Sequence, residues 1–580
     1  MKDASSAKKG NASRTKKSPN GNGPSKMEGS KFIAETIKGY GITHVFHMET
    51  VLLKTLVELE ALGVKRILTH GEKAAAYMAD GYARARRGPA ICMAQSVGAA
   101  NMAAGLQDPY LGNSPVVCIT GRKPPMDQHR NAYQEIQHGI MFDPVTKFNA
   151  CVDSTDQLPH LLRLAFREAT SGCPGPVHLD MIGHQAQVTE EGTGNFEISV
   201  EAPYTHYPPF RPEPEESLLK KAAALLQKAK CPVMIAGGGA TASSAGPEIV
   251  KLAEMLSIPV ATSLNGKECI MDSHPMSIGV PGRYSRWCTN QIISGADLVF
   301  YVGSGTGDTM TNSWTVPKPG TTIIQIDIDP AELGRNYADT LGILGDAKVA
   351  LQGLMKWIKP RKTPSPWSVN AQKVLKKWRA EVAPLMNSDK TPIQPERLCK
   401  ELTAVLPRNA ILVADTGCSS IWTGTMVFLN HPGQRYIRCA GSLGWGLPGS
   451  LGVKCAAPDR PVVCFTGDGG LWYHLSELET ARRFGIKTLT VVNNNHGLVQ
   501  CVAPVERSYG KRPGNSDELW AYRDTNFARI AEEMGCLGIR VERPGDIAGA
   551  LKKALASDLP SVVEVITDPG CNIPDAKRGL

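Results

Sequence analysis

The 580-residue chain holds no apolar run near the roughly twenty residues that a membrane-spanning helix requires, so no membrane segment is expected. It also lacks any CxxC pairing: its 15 cysteines are scattered, and Cys118 and Cys464 fall inside apolar, strand-like runs. That pattern argues against structural zinc and for buried free thiols in a reducing compartment, which points to the cytoplasm. Acidic residues are nearly missing from the first 26 positions, where Asp3 stands against Lys2, Lys8, Lys9, Arg14, Lys16, Lys17 and Lys26. Seven cations less one acid leave +6 of the formal +9 in that leader, so the rest of the chain is close to neutral. No nucleic-acid partner is expected. Residues 1–28, rich in Ser, Gly, Asn and Lys and without an apolar stretch, read as a disordered basic leader rather than a signal peptide.

What is present is a chain with 42% apolar and 21% charged residues, able to bury sizeable cores and long enough for about three domains. Short apolar runs alternate with helical signals in three blocks, expected at 29–190, 205–360 and 390–575. The first contains Arg66-Ile67-Leu68, Ala90-Ile91-Cys92-Met93, Val116-Val117-Cys118-Ile119 and Val177-His178-Leu179. A proline-dense joint from Ala202 to Pro214 separates it from the second, with Val233-Met234-Ile235, Leu298 to Val302 and Thr322 to Asp327. A second joint near Lys359 to Pro366 and a polar helix lead to the third. The alternation predicts an α/β fold of three doubly wound parallel-sheet domains.

The third block carries the most informative motif. Pro461 to Phe465 is a buried-strand pattern, Gly467-Asp468-Gly469-Gly470 follows, Leu475, Leu478, Ala481 and Phe484 recur at helical spacing, and Thr488 to Val492 is a second strand ending in Asn493-Asn494-Asn495. In a βαβ unit both strands are parallel, so Asp468 and the asparagines meet at the carboxyl end of the sheet. The glycines admit a phosphate close to the backbone, and one carboxylate plus one amide oxygen suit Mg²⁺, which takes its other ligands from phosphate and water. The arrangement resembles the thiamine diphosphate motif. That resemblance implies Asp468, Asn495 (with Asn494 as the alternative) and the Gly497 carbonyl as metal ligands. It implies Gly417, Cys418, Gly441, Gly469, Gly470 and Leu471 as cofactor contacts.

Other strings extend the resemblance over residues from about 30 to 570. Thr69-His70-Gly71-Glu72-Lys73-Ala74-Ala75-Ala76-Tyr77-Met78-Ala79-Asp80-Gly81-Tyr82-Ala83-Arg84 looks like the segment whose glutamate bonds the aminopyrimidine ring and promotes loss of the thiazolium C2 proton, which implies Glu72 as catalytic. Gly441-Ser442-Leu443-Gly444-Trp445-Gly446-Leu447-Pro448 resembles the segment that bends the cofactor, with Leu443 as the wedge. Tyr133-Gln134-Glu135 resembles a substrate-facing motif of the acetolactate synthase and pyruvate oxidase branch, with Gln134 toward the substrate. The branch acts on a small carbonyl compound, making or breaking the carbon–carbon bond next to it. The resemblance implies a homodimer or homotetramer, with Glu72 of one subunit facing Asp468, Asn495 and Leu443 of the other.

Three departures from the branch bear on the substrate: Gln95-Ser96-Val97-Gly98 in place of Ser-Gly-Pro-Gly, His47-Met48-Glu49-Thr50 in place of Gly-Tyr-Pro-Gly, and Val499-Gln500-Cys501 where a tryptophan is usual. Histidines 47, 70, 138 and 474 are candidate substrate contacts or proton shuttles. FAD stays open, because Gly303 to Asp308 lacks the arginine of flavin-containing relatives. The alternatives within the fold are a 2-hydroxyacyl-CoA lyase or oxalyl-CoA decarboxylase, for which Lys577 and Arg578 offer little phosphate-binding charge, and a cyclic diketone hydrolase.

Overall fold

A computed structural model describes residues 25–571. The leader up to residue 24 and the Asp575 to Leu580 tail lie outside the described residues. The last four leader residues differ from expectation. Ser25–Glu28 is a strand, paired antiparallel with Thr193–Phe196, which satisfies backbone groups that a free leader would leave to water.

Three six-stranded parallel sheets follow. The first orders its strands Lys65–Leu68, His44–Met48, Ala90–Ala94, Val116–Arg122, Val177–Ile182 and Phe148–Val152. The third orders Arg435–Arg438, Ile411–Ala414, Val462–Gly467, Leu489–Asn494, Ser561–Ile566 and Leu537–Val541. Numbered in chain order within each sheet, both read 2-1-3-4-6-5. The central sheet, Ser277–Gly279, Val260–Thr262, Pro232–Ala236, Leu298–Val302, Thr322–Asp327 and Leu341–Leu344, reads 3-2-1-4-5-6. Central strands such as Ala90–Ala94, Pro232–Ala236 and Leu298–Val302 are buried at every position, as parallel strands covered on both faces must be.

Each sheet has a topological switch point where neighbouring strands send their chain to opposite sides, and such points are where open α/β sheets bind ligands. They lie between His44–Met48 and Ala90–Ala94, between Pro232–Ala236 and Leu298–Val302, and between Ile411–Ala414 and Val462–Gly467.

The first and third domains meet through two helices, Glu72–Arg86 and Gly446–Ala456. Glycine permits this contact. A Cβ on Gly81 would lie 2.0 Å from Gly449 O, and one on Gly452 1.8 Å from Met78 O. Polar bonds lock the crossing: Trp445 Nε1 donates to Asp80 (2.9 Å), and Arg84 donates to Asp80 and to Arg438 O (2.7 Å each). The central domain is tied to the third by a buried cluster in which Asp272 accepts from Lys267 (3.0 Å), Arg286 (2.9 Å) and the Leu429 N–H (3.0 Å), while Lys267 donates to Gly424 O (3.1 Å) and Arg286 to Thr425 O (2.8 Å). Among the described residues, no helix is long and apolar enough to cross a membrane.

Candidate active site

At the third domain's switch point the expected motif folds as a strand, a five-residue helix Asp468–Trp472, a helix Glu477–Arg483 and the strand Leu489–Asn494. Asp468 is buried at the first helical position. Burial pushes its carboxyl up to about 6, against backbone N–H groups of Gly469, Gly497 and Asn495 that donate to it. The three asparagines part company here. Asn494 is spent: its Nδ2 donates to Glu564 (2.7 Å) and its Oδ1 accepts the His496 N–H (3.1 Å). Asn495 is equally buried, but its Oδ1 has no partner. A buried unpaired acceptor costs roughly 1–3 kcal/mol, so beside a carboxylate raised by burial it marks a place that a cation would complete. Asn493 Oδ1 is unpaired as well, two residues back along the chain, and nothing in the structure accounts for it. Among the described residues no three His, Cys, Asp or Glu side chains gather into a metal site. A cation at this point would rest on hard oxygens from one carboxylate, one amide and backbone, the set that Mg²⁺ accepts.

The turn itself has no room for side chains. A Cβ on Gly470 would lie 2.7 Å from Thr466 Oγ1 and 2.8 Å from Asp415 Oδ2, and one on Gly469 would meet the Leu498 side chain at 2.6 Å. Leu471 is buried behind them. Across the switch point Gly417, with φ +67°, turns the chain into the helix Cys418–Thr425. Burial raises the Cys418 thiol to about 11, so it stays protonated and serves as lining rather than nucleophile. Gln500 Oε1 reaches within 2.9 Å of where a Gly417 Cβ would stand, which brings in a residue not expected to join this cradle.

Two further residues that sequence reading missed are the carboxylates that hold the Leu443 segment. Asp108, from the first domain, accepts the N–H groups of Ala440 (2.8 Å), Gly441 (3.1 Å) and Ser442 (3.0 Å). Asp415, from the third, accepts those of Gly444 and Gly446 (3.1 Å each) and the Thr466 hydroxyl (3.1 Å). Both are fully buried, and burial pushes the Asp415 carboxyl up to about 6. The half-buried Leu443 is the residue between the two grips, so its side chain is presented by backbone that is fixed on both sides. For Asp415 the only signal in the sequence was an acid directly after a buried strand, whereas Asp108 lies inside the helix Ala99–Leu111.

In the first domain, Glu72 opens its helix, half-buried, and its Oε2 accepts from Asn101 Nδ2 (3.1 Å). Its Oε1 lies over Gly98, where a Cβ would stand at 2.5 Å. The turn 95–98 is a hub at this switch point. Gln95 Nε2 donates to Glu49 (2.7 Å), and the Ser96 hydroxyl donates to the Gln134 carbonyl (2.7 Å). Two of the sequence departures are thus bonded to each other, and one turn gathers Glu49, Glu72 and Gln134. Gln134 has φ +60° and a buried, unpaired Oε1. Within this chain Glu72 is bonded to Asn101 and to none of Asp468, Asn495, Gly497 or Leu443.

The four histidines scatter. His70 pairs with Glu479 (2.7 Å), His138 with Asp180 (3.0 Å) beside Thr120 and His178, and His474 packs edge-on against Tyr77. His47 lies nearest the turn, its Nδ1 3.4 Å from Glu49 O, and burial holds it down at about 4, so it is neutral at physiological pH.

Paired domains of one topology around a Rossmann-ordered middle, with a carboxylate at one switch point and an oxygen-rich acceptor set at the other, define a multidomain α/β enzyme. Comparison with known proteins identifies it further. Residues 27–141 match the thiamine pyrophosphate enzyme N-terminal TPP binding domain, 219–354 the central domain, and 415–565 the C-terminal TPP binding domain. A probable acetolactate synthase large subunit of Methanococcus aeolicus is 33% identical over 519 residues, 87% of this chain and 86% of the relative. One from Methanocaldococcus jannaschii is 31% identical over 570 residues (95% and 94%), and the glyoxylate carboligase of Escherichia coli O157:H7 is 31% identical over 537 residues (88% of each). The chain belongs to the thiamine pyrophosphate-dependent enzymes, in their acetolactate synthase-like group.

Proposed function

We propose that the protein is a Mg²⁺-dependent carboligase or lyase that acts on a 2-oxo acid. The observation that carries this reading is the unpaired Asn495 Oδ1 beside Asp468, at the switch point whose turns are built from Gly469, Gly470 and Gly417. When bound, thiamine diphosphate supplies an electron sink for the negative charge left beside a carbonyl. Asp468, Asn495 and the Gly497 carbonyl hold the cation, and Leu471 closes the wall behind the phosphates. Leu443, on backbone gripped on both sides by Asp108 and Asp415, would pack against the bound cofactor. Glu72 holds a proton at the aminopyrimidine, with Asn101 fixing one carboxylate oxygen and leaving the other free to accept.

Glu72 and the Asp468 set are not bonded within one chain, which favours a site completed by a second copy, as a homodimer or a dimer of dimers. The apolar side chains around the 95–98 turn agree with that reading: Val97 is 43%, Tyr133 77% and Ile140 71% exposed in the single chain. Such exposure calls for a partner surface.

The bonded Glu49–Gln95 and Ser96–Gln134 pairs make the pocket wall polar where the branch carries Gly-Tyr-Pro-Gly and Ser-Gly-Pro-Gly. Polar walls discriminate more strongly than apolar shape does. Conversion of pyruvate to acetolactate is therefore expected to be slow, with a polar or larger 2-oxo acid preferred. The test is a panel of 2-oxo acids, 2-hydroxyacyl-CoA esters and cyclic diketones with thiamine diphosphate and Mg²⁺. Turnover of a 2-oxo acid that stops on chelation supports the reading, and turnover confined to the CoA esters or diketones overturns it.

A further inference from the structure

At the opposite end of the strands from the candidate site, the first and third domains leave a cleft of about 930 Å³ between them. It lies where the strands His44–Met48 and Lys65–Leu68 begin and just before Leu489–Asn494 begins. Lys65, Arg66, Lys454, Arg483 and Lys487 line it, against one carboxylate, Glu60, which is bound to Arg66 (2.8 Å). The acidic partners that the other cations have lie outside the lining. Lys454 donates to the carbonyls of Pro458 (2.7 Å) and Arg460 (2.8 Å), Lys487 pairs with the solvent-exposed Asp558, and Lys65 is exposed and makes no ion pair among the described residues. Neighbours register the local charge: His44 is held down at about 4 by burial and then by Lys65, and Lys454 is lowered by burial, which Asp459 opposes and Lys487 reinforces. The floor is apolar, with Val64, Phe484 and Ile486. A cationic rim over an apolar floor, in a volume of the size that holds a small ligand, suits a molecule with several phosphates and a flat organic part.

The cleft is also wired to the catalytic segment. Arg483 Nη2 donates to Leu68 O (3.0 Å) and pairs with Glu479 (3.1 Å). Glu479 in turn bonds the His70 ring (2.7 Å), while Glu477 accepts the His70 N–H (2.9 Å). Leu68 and His70 are the residues that lead into Gly71 and Glu72. An anion in the cleft would compete with Leu68 O and Glu479 for the same guanidinium.

We propose that this cleft binds a nucleoside di- or triphosphate, and that the bound phosphates draw Arg483 away from Leu68 and Glu479 and so reset the segment that carries Glu72. The effect on rate rests on the role proposed for Glu72, whereas the binding and the movement do not. ADP is titrated calorimetrically into the full-length holoenzyme, kept saturated with thiamine diphosphate and Mg²⁺ so that the cofactor site is filled. Submillimolar binding that weakens with salt is expected, reduced on the order of tenfold or more in Lys65→Glu/Lys487→Glu, a pair of exposed residues outside the catalytic set. Hydrogen exchange over residues 66–72 should rise with ADP in the wild type and stay level in the variant, a readout that requires no substrate. No binding at millimolar ADP, or equal affinity in both proteins, overturns the site. Binding that leaves exchange over 66–72 unchanged overturns the coupling through Arg483.

Discussion

The central and third domains each place a glycine-rich turn at the switch point of a six-stranded parallel sheet, yet the two turns are built for different ends. In the central domain, backbone lies against backbone. A Cβ on Gly237 would stand 2.1 Å from Gly303 O, one on Gly239 2.9 Å from Gly303 Cα, and one on Gly266 2.2 Å from Ala236 O. The Gly237 and Gly239 N–H groups are already taken by Val302 O and Gly303 O. In the third domain the Gly469 side of the turn is covered only by the Leu498 and Tyr522 side chains, and Asn495 Oδ1 is left without a donor. A glycine after a strand therefore does not by itself make a ligand site; it also serves close packing. The discriminating sign is a polar group that the fold buries and leaves unmet.

Six substitutions would break or sharpen this contrast. Glu72→Gln should keep the fold and cofactor binding but slow turnover by on the order of 10²- to 10⁴-fold, because a carboxamide cannot carry the proton. Exchange of the cofactor C2 proton checks it, and a wild-type exchange rate sinks the assignment. Asn495→Ala and Asn494→Ala should separate the two asparagines. The first loses cation affinity with little change in apo stability, whereas the second loses roughly 1–3 kcal/mol of stability because Glu564 gives up a buried donor. Paired denaturant melts and Mg²⁺ titrations read both.

Asp415→Asn retains the volume but replaces one acceptor oxygen with a donor, so the Gly444 and Gly446 N–H groups can no longer both be met. An outer-shell loss of about 10- to 100-fold in kcat is expected, with KM little altered. Next in size is Asp327→Asn, at the end of the strand Thr322–Asp327 in the central domain. Burial pushes the Asp327 carboxyl up to about 6. Its folded-state value is above that of the unfolded chain, so the stabilisation it gives is complete below about pH 4 and lost as pH rises to about 6. The variant should melt higher than wild type above pH 6, by at most about 2–3 kcal/mol, with the gain vanishing toward pH 4 in thermal scans and activity unchanged. The smallest effect belongs to Gly238→Ala, whose Cβ would meet Asn265 Cβ at 3.2 Å: a shift within about 1 kcal/mol and no effect on cofactor affinity.

The sheets were legible in the sequence because parallel strands buried on both faces read as unbroken apolar runs, and the site motif because its Asp-to-Asn spacing spans one strand–helix–strand unit. The spacing from Asp468 favoured Asn495 but kept Asn494 as the alternative, since what separates them is which amide finds Glu564, 70 residues further on from Asn494. Asp108 and Asp415 were missed for the same reason. Their partners are backbone N–H groups hundreds or tens of residues away, and no side-chain pattern records a backbone acceptor. Glu49 was quoted only as part of a departure; that it is bonded to Gln95, another departure, appears once both loops stand at one switch point. The strand Ser25–Glu28 was hidden by its basic, glycine-rich neighbours, and its partner lies beyond the whole first sheet.

The crossing of the helices at Gly81, Gly449 and Gly452 divides the molecule into what can be redrawn and what cannot. Two main chains that touch without side chains between them act as a fixed gauge: any added methyl group there would spread the Glu72 helix from the one behind Leu443. The segments 47–50, 95–98 and 499–501 hang outside that gauge. Anyone who wishes to give this scaffold a new substrate should randomise those three loops together, keep Gly98 because Glu72 fills the space beside it, and leave the glycine crossing as it is, since variety elsewhere in the loops does not touch the spacing of the two helices.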